Sequence, residues 1–287
     1  MIRLDAATVL LQWATGGLLF LWVTTRRREV GIGYGWLLRA VYGVLAVGAA
    51  AAGLVVDPVA VRDVASLGVA AAASVALAVS IVRRKAGVAG ERARQERKAS
   101  RVAAMAGKDG AAGGPAASAP APGPEFPPVL DTVAPLIGLV GLVAAGIAAG
   151  GPDALAVART LAGALFLGAV SDAMLLGHWY LVQPGLGRGP LLELNRWLAL
   201  TWPLEVGLLL WPTGMLSVLS GSVDDGWDGT LGWFWVACAV STLVLTVVTK
   251  AALKERAYSA VMAATGLLYL AILTAFGTDL VARAVLA

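Results

Sequence analysis

One cysteine and one histidine in 287 residues remove most of the chemistry that a small protein borrows from metals and thiols. Cys238 alone gives no disulfide, no CxxC and no thiolate set for zinc or an iron–sulfur cluster. His178 alone cannot supply both axial ligands of a bis-histidine haem. The chain also lacks a glycine-rich phosphate loop, an HExxH, a GxSxG and the paired DxxxD clusters that hold magnesium in prenyltransferases. Motifs therefore name no catalytic residue and no metal site. Charge is scarce as well: Asp, Glu, Lys and Arg make up 14% of the chain, against about 25% in a soluble domain.

What fills the chain instead is apolar. Hydrophobic residues reach 59% and gather in continuous runs, not in the every-second-residue alternation of a membrane β-barrel. The runs cover residues 4–25, 34–56, 59–82, 130–149, 154–182, 191–219, 231–249 and 257–276. A span needs about 20 residues, so the expected fold is all-α: a polytopic helical membrane bundle of about eight transmembrane helices. The first run ends in Arg26-Arg27-Arg28, whereas a signal peptide carries its positive charge before the apolar stretch. It reads as a retained span.

Composition divides the chain in three. Residues 1–85 form a three-helix membrane segment. Residues 86–128 are first basic and then rich in Pro, Ala and Gly, with too little apolar surface to offset ordering, so a disordered linker is expected. Residues 129–287 form a five-helix segment. Small residues four apart at Gly48 and Ala52, and at Ala70 and Ser74, allow close helix approach in lipid, although the Ala/Gly bias of spans two and three produces such spacings without it.

Charge also orients the chain. With eight spans, all but four of the 22 Lys and Arg fall on the side that holds the linker. The exceptions are Arg3, Arg62, Arg159 and Arg283, while Asp57, Asp63, Asp153, Asp224, Asp225 and Asp228 share their side. Positive loops mark the cytoplasm. The expected location is thus a bacterial-type plasma (inner) membrane with both termini outside and 86–128 cytoplasmic. The basic balance is a topology signal, and it calls for no nucleic acid. Trp13, Trp22, Trp36, Trp227, Trp233 and Trp235 sit near span ends, as anchors at the headgroup level do.

The exceptions to apolarity locate a candidate site in residues 168–211. Asp172, His178 and Glu205 all lie within apolar runs, where a charged residue costs roughly 2.5–3.5 kcal/mol on insertion scales and usually faces a bundle interior or wet cavity. Counting a rise of about 1.5 Å per residue from the run ends puts Asp172 and Glu205 near mid-depth on adjacent antiparallel spans. If they face each other, the two cannot both ionise cheaply. At about 100° per residue His178 lies some 120° around the helix from Asp172, so each needs partners from another span. Trp179 and Tyr180 offer stacking surface beside His178. Glu193 lies within vertical reach of it, and also pairs with Arg196 by the three-residue spacing of a helix. Asn195 and Arg188 add donors suited to a lipid headgroup or phosphate. Pro203 and Pro212 each free a carbonyl four residues earlier, at Ala199 and Leu208.

These residues fit three functional classes. The first is a proton- or quinone-linked membrane subunit or small transporter, with Asp172, His178 and Glu205 binding a proton or ligand. A quinone suits an imidazole beside aromatic rings, and a haem would need its second ligand from a partner chain. The second is a structural or assembly subunit whose buried charges meet the helices of other membrane subunits. The third, a lipid-modifying membrane enzyme, has no recognisable catalytic set.

Overall fold

The computed structural model describes Ile2 and residues 4–84, 125–183, 186–255 and 257–286. The linker expected at 86–128 therefore lies outside the described residues except for its last four. Among the described residues every regular element is a helix. The long helices are α1 (Ala6–Thr25), α2 (Ile32–Val56), α3 (Ala60–Val82), α4 (Val133–Ala148), α5 (Asp153–Val182), α6 (Gly189–Leu210), α8 (Thr230–Ala252) and α9 (Tyr258–Val285). A 3₁₀ turn, Pro128–Thr132, leads into α4, and a short helix α7, Gly214–Leu219, follows α6. Seven of the long helices, all except α6, are long and apolar enough to cross a membrane, and the chain is a helical membrane protein. The 22 residues of α6 reach about 33 Å, a full span, but Glu193, Arg196 and Glu205 interrupt its apolar character.

The expected sixth span, 191–219, is cut short. Pro212 disfavours helical geometry at the residue before it. Trp211 accordingly takes φ −96°, ψ 144° and ends α6. Pro203, by contrast, is accommodated inside the helix.

Successive helices run in opposite directions, leaving two ends of the bundle. We call them the terminal face, where the chain starts and finishes, and the linker face. Helices α1 and α5 form the centre: 67% of the residues in their apolar windows are buried, against 33% in α2, α8 and α9. They cross at two glycines. A Cβ on Gly16 would lie 1.8 Å from the Ala164 carbonyl oxygen, and one on Gly168 would lie 2.2 Å from the Gly16 backbone. The close approach that small residues permit is therefore here and not at Gly48, where a Cβ would make an ordinary 3.5 Å contact with Leu10.

Buried ion pairs hold each end. At the terminal face Asp5 caps α1, accepting from the Ala7 and Thr8 amides at 3.1 Å each, and pairs with buried Arg62 of α3. Arg62 also bonds Asp63 at 2.9 Å and the Asp57 carbonyl at 2.6 Å, which fixes the α2–α3 turn. At the linker face Arg39 of α2 grips Asp131 with two parallel bonds of 2.8 and 2.7 Å. Thr25 donates to the same carboxylate at 3.0 Å, and the Phe126 ring covers the guanidinium at 4.3 Å.

Trp227 and Trp233 are exposed near the start of α8, as anchors would be. Two other tryptophans turn inward. Trp235 is buried, and Trp13 points into the bundle, donating to Ser171 at 2.8 Å and meeting the Phe276 ring edge-on at 4.6 Å. Helical phase explains the difference: both residues lie on faces that meet other helices, which position along the chain does not reveal.

Candidate functional site

Asp172 lies on the inward face of α5 and is fully buried. The Tyr42 hydroxyl of α2 donates to its Oδ1. Tyr34, two turns away on α2, donates to its backbone carbonyl at 3.4 Å. Room for the Tyr42 ring comes from α1: a Cβ on Gly17 would sit 2.1 Å from the Tyr42 Cζ. Oδ2 has no partner among the described residues. The pocket is thus built from three helices and supplies hydroxyl groups, with no cation beside the acid among the described residues.

Glu205 is also fully buried, but elsewhere. Its carboxyl lies against that of Asp279 on α9, with Arg283 and Arg159 as neighbouring cations. Asp279 accepts from Arg283 Nε at 2.7 Å. Arg159 of α5 donates to the Leu208 carbonyl at 2.9 Å and the Trp211 carbonyl at 2.7 Å. It therefore satisfies the acceptor that Pro212 frees at Leu208 and ties the end of α6 to the start of α5.

The two acids do not face each other. Arg159 meets the carbonyl of Leu208, so Glu205 is level with the first third of α5, while Asp172 lies about 15 Å further along that helix. The expectation of equal depth assumed a sixth span reaching residue 219. Since α6 stops at Leu210, Glu205 sits close to its end. What sequence reasoning missed is the second half of each centre: Tyr42 and Tyr34 for Asp172, and Asp279, Arg283 and Arg159 for Glu205. The charge count places these arginines on the outer side, yet Arg62, Arg159 and Arg283 are all buried. For Arg62 and Arg159 the available signal was their position inside apolar runs; Arg283 lies beyond the last run.

His178 is on another face of α5, exposed on the side of the bundle. Its Nδ1 is 3.1 Å from the Tyr269 hydroxyl of α9, whose ring it meets edge-on at 6.3 Å. Trp179 donates to Gln183 at 3.0 Å and packs on Tyr34 at 6.0 Å. Tyr180 is buried and donates to the Gly187 carbonyl at 2.5 Å, closing the α5–α6 turn. Glu193 takes neither expected partner: it accepts from Arg26 at 2.5 Å and Arg27 at 3.1 Å, while Arg196 is exposed. A helix-surface pair three residues apart is weak, and two guanidiniums at the end of α1 outcompete it. Asn195 is buried and donates to the Thr246 carbonyl at 3.1 Å. Arg188 caps α8 through the Leu253 carbonyl at 3.0 Å and also reaches the Ala257 carbonyl at 2.9 Å, so its donors serve the fold.

Among the described residues no group of three or more His, Cys, Asp or Glu side chains is arranged to hold a metal ion. The arrangement can hold protons: at Asp172 among hydroxyls, and at Glu205 against a second carboxyl. No protein-family model matches the chain, and no curated protein or solved structure is significantly similar to it.

Proposed function

We propose that this is a proton-linked membrane protein, a small transporter or a subunit of a larger membrane complex, in which Asp172 is held as a neutral acid and exchanges its proton in the working cycle. One observation carries the reading. Of the buried acids among the described residues, Asp63, Asp131 and Asp279 each bond an arginine and Glu205 has two nearby. Asp172 has only phenols and an unpartnered oxygen. A bare carboxylate in such surroundings is costly, and the proton removes the cost.

Infrared spectroscopy of the protein in lipid tests this directly. The expected result is a carboxylic-acid carbonyl band that Asp172→Asn removes and Tyr42→Phe shifts, with reduced proton uptake in vesicles for Asp172→Asn. No band sensitive to Asp172→Asn, with assembly failing in its place, would favour the structural-subunit reading.

The proposed setting is a bacterial-type plasma membrane with both termini outside. Three of the four arginines on the terminal face are buried in internal bonds, so the loops there carry still less positive charge than the sequence count implies. A quinone link has one supporting observation, the exposed His178–Tyr269 pair. Quinone content lower in His178→Phe than in His178→Gln is the result that would favour it.

A further inference from the structure

The Glu205–Asp279 contact has no role in the Asp172 reading. Both residues are fully buried. Neither oxygen of Glu205, nor Oδ1 of Asp279, receives a hydrogen bond from the described residues. Two carboxylates offer only acceptors, so side by side they can bond each other only through a proton held between them. The cations facing Glu205 are Arg283, from α9, and Arg159, from α5. Arg283 is bonded to Asp279 and Arg159 to the carbonyls of Leu208 and Trp211.

A fourth helix contributes a polar group to the same place. Gln12 of α1 is fully buried, and its Oε1 has no partner among the described residues. Its Nε2 donates to the Thr160 carbonyl at 2.6 Å. It converges with Asp279 over Gly163: a Cβ there would lie 2.6 Å from Gln12 Nε2 and 2.8 Å from Asp279 Oδ1. Any side chain at 163 would fill this polar hollow.

The hollow adjoins the terminal face. A cavity of about 20 Å³ is lined by Asp5, Thr8, Arg62, Thr160 and Arg283 among others. That is room for about one water, with several polar partners to hold it. Thr160 and Arg283 each border both the cavity and the Gln12–Asp279 group.

We propose that Glu205 and Asp279 share one proton, as a second proton-binding site separate from Asp172, and that it exchanges with water at the terminal face through the cavity beside Thr8 and Thr160. The step is a proton transfer alone. A water in the cavity delivers the proton to the Asp279–Glu205 pair or removes it, and no other bond changes.

Time-resolved infrared spectroscopy of the full chain in lipid nanodiscs, on transfer to D₂O, separates this from the Asp172 reading. Two carboxylic-acid bands are expected, one lost in Glu205→Gln and the other in Asp172→Asn. Asp279→Asn keeps one acid and should shift the first band without touching the second, which also covers poor assembly of Glu205→Gln. Thr160→Leu, which fills the cavity, should slow deuteration of the first band by about tenfold and leave its amplitude intact. A single band, abolished by Asp172→Asn and indifferent to Glu205→Gln and Asp279→Asn, overturns the shared proton while sustaining Asp172. A single band with the opposite response sustains the pair and sinks the Asp172 reading. Unchanged deuteration in Thr160→Leu overturns the route.

Discussion

At the scale of single residues, the Asp172 pocket depends on something absent, the side chain of Gly17. Gly17→Ala drives a methyl into the Tyr42 ring, and overpacking of this kind costs about 1–3 kcal/mol. Thermal unfolding in detergent should show it. Tyr42→Phe removes only a hydroxyl and should cost about 1 kcal/mol, so the glycine variant is expected to be no milder than loss of the hydrogen bond itself. Arg159→Met leaves the Leu208 and Trp211 carbonyls without their donor and Glu205 with one cation fewer. Removing one partner from a buried ionic network costs about 3–5 kcal/mol, and the same measurement should place this variant well below Tyr42→Phe. A milder sensitivity lies outside the membrane. Asp225, before α8, is disfavoured as an ion by desolvation, but the amides of Gly229, Trp227, Gly232 and Leu231 together more than offset this and hold its carboxyl below the usual range. A lowered folded-state value means that its stabilisation is fully present above the unfolded value, about 3.9, and fades as pH falls through the folded one. Fluorescence of exposed Trp227 should therefore be steady down to that range and change below it, with Asp225→Asn showing the acid-side signal at neutral pH.

At the scale of elements, the Arg39–Asp131 pair ties α2 to the 3₁₀ turn that starts the second group of helices. Arg39→Met or Asp131→Leu alone strands a buried charge and should destabilise by about 3–5 kcal/mol, whereas the double variant should recover most of that loss. A double-mutant cycle of unfolding midpoints decides it; additive losses would mean that the two residues act separately. Elements were also the scale at which the chain was most readable. Continuous apolar runs bounded by Arg26–Arg28, Asp57-Pro58 and Gly150-Gly151 mark helix ends, because each boundary rests on local chemistry. The end of α6 was readable too, since a proline restricts its predecessor, but Pro203 shows that the same residue can pass within a helix. The carbonyl that Pro212 frees at Leu208 accepts from Arg159, some fifty residues away, and no local pattern contains that partner.

For the whole molecule, orientation is the accessible test. Cys238 is buried, so single cysteines can be added against a quiet background. Asp224→Cys at the terminal face should react with a membrane-impermeant thiol reagent in intact cells, and Lys254→Cys at the linker face only after lysis. The reverse pattern would invert the molecule. The candidate site was legible in part for a related reason. Asp172 and Glu205 stand out because charge in an apolar run is conspicuous whatever surrounds it. Their partners do not, because Tyr42, Gly17 and Asp279 become meaningful only when α1, α2, α5, α6 and α9 are in register. His178 stood out merely by rarity, and its exposed position on α5 separates it from both buried acids.

The glycine crossing of α1 and α5 has a consequence in time. Gly16 leaves the ribosome about 150 residues before Gly168, an interval on the order of ten to thirty seconds at ordinary synthesis rates. Throughout it the first helix has no mate for its tightest face, and Gln12 and Trp13 have yet to meet Thr160 and Ser171. The nascent chain must be sheltered until its fifth helix arrives. Substitutions at Gly16 should therefore show themselves at birth, as half-made protein handed to quality-control proteases, more than as a lower melting point in the molecules that survive.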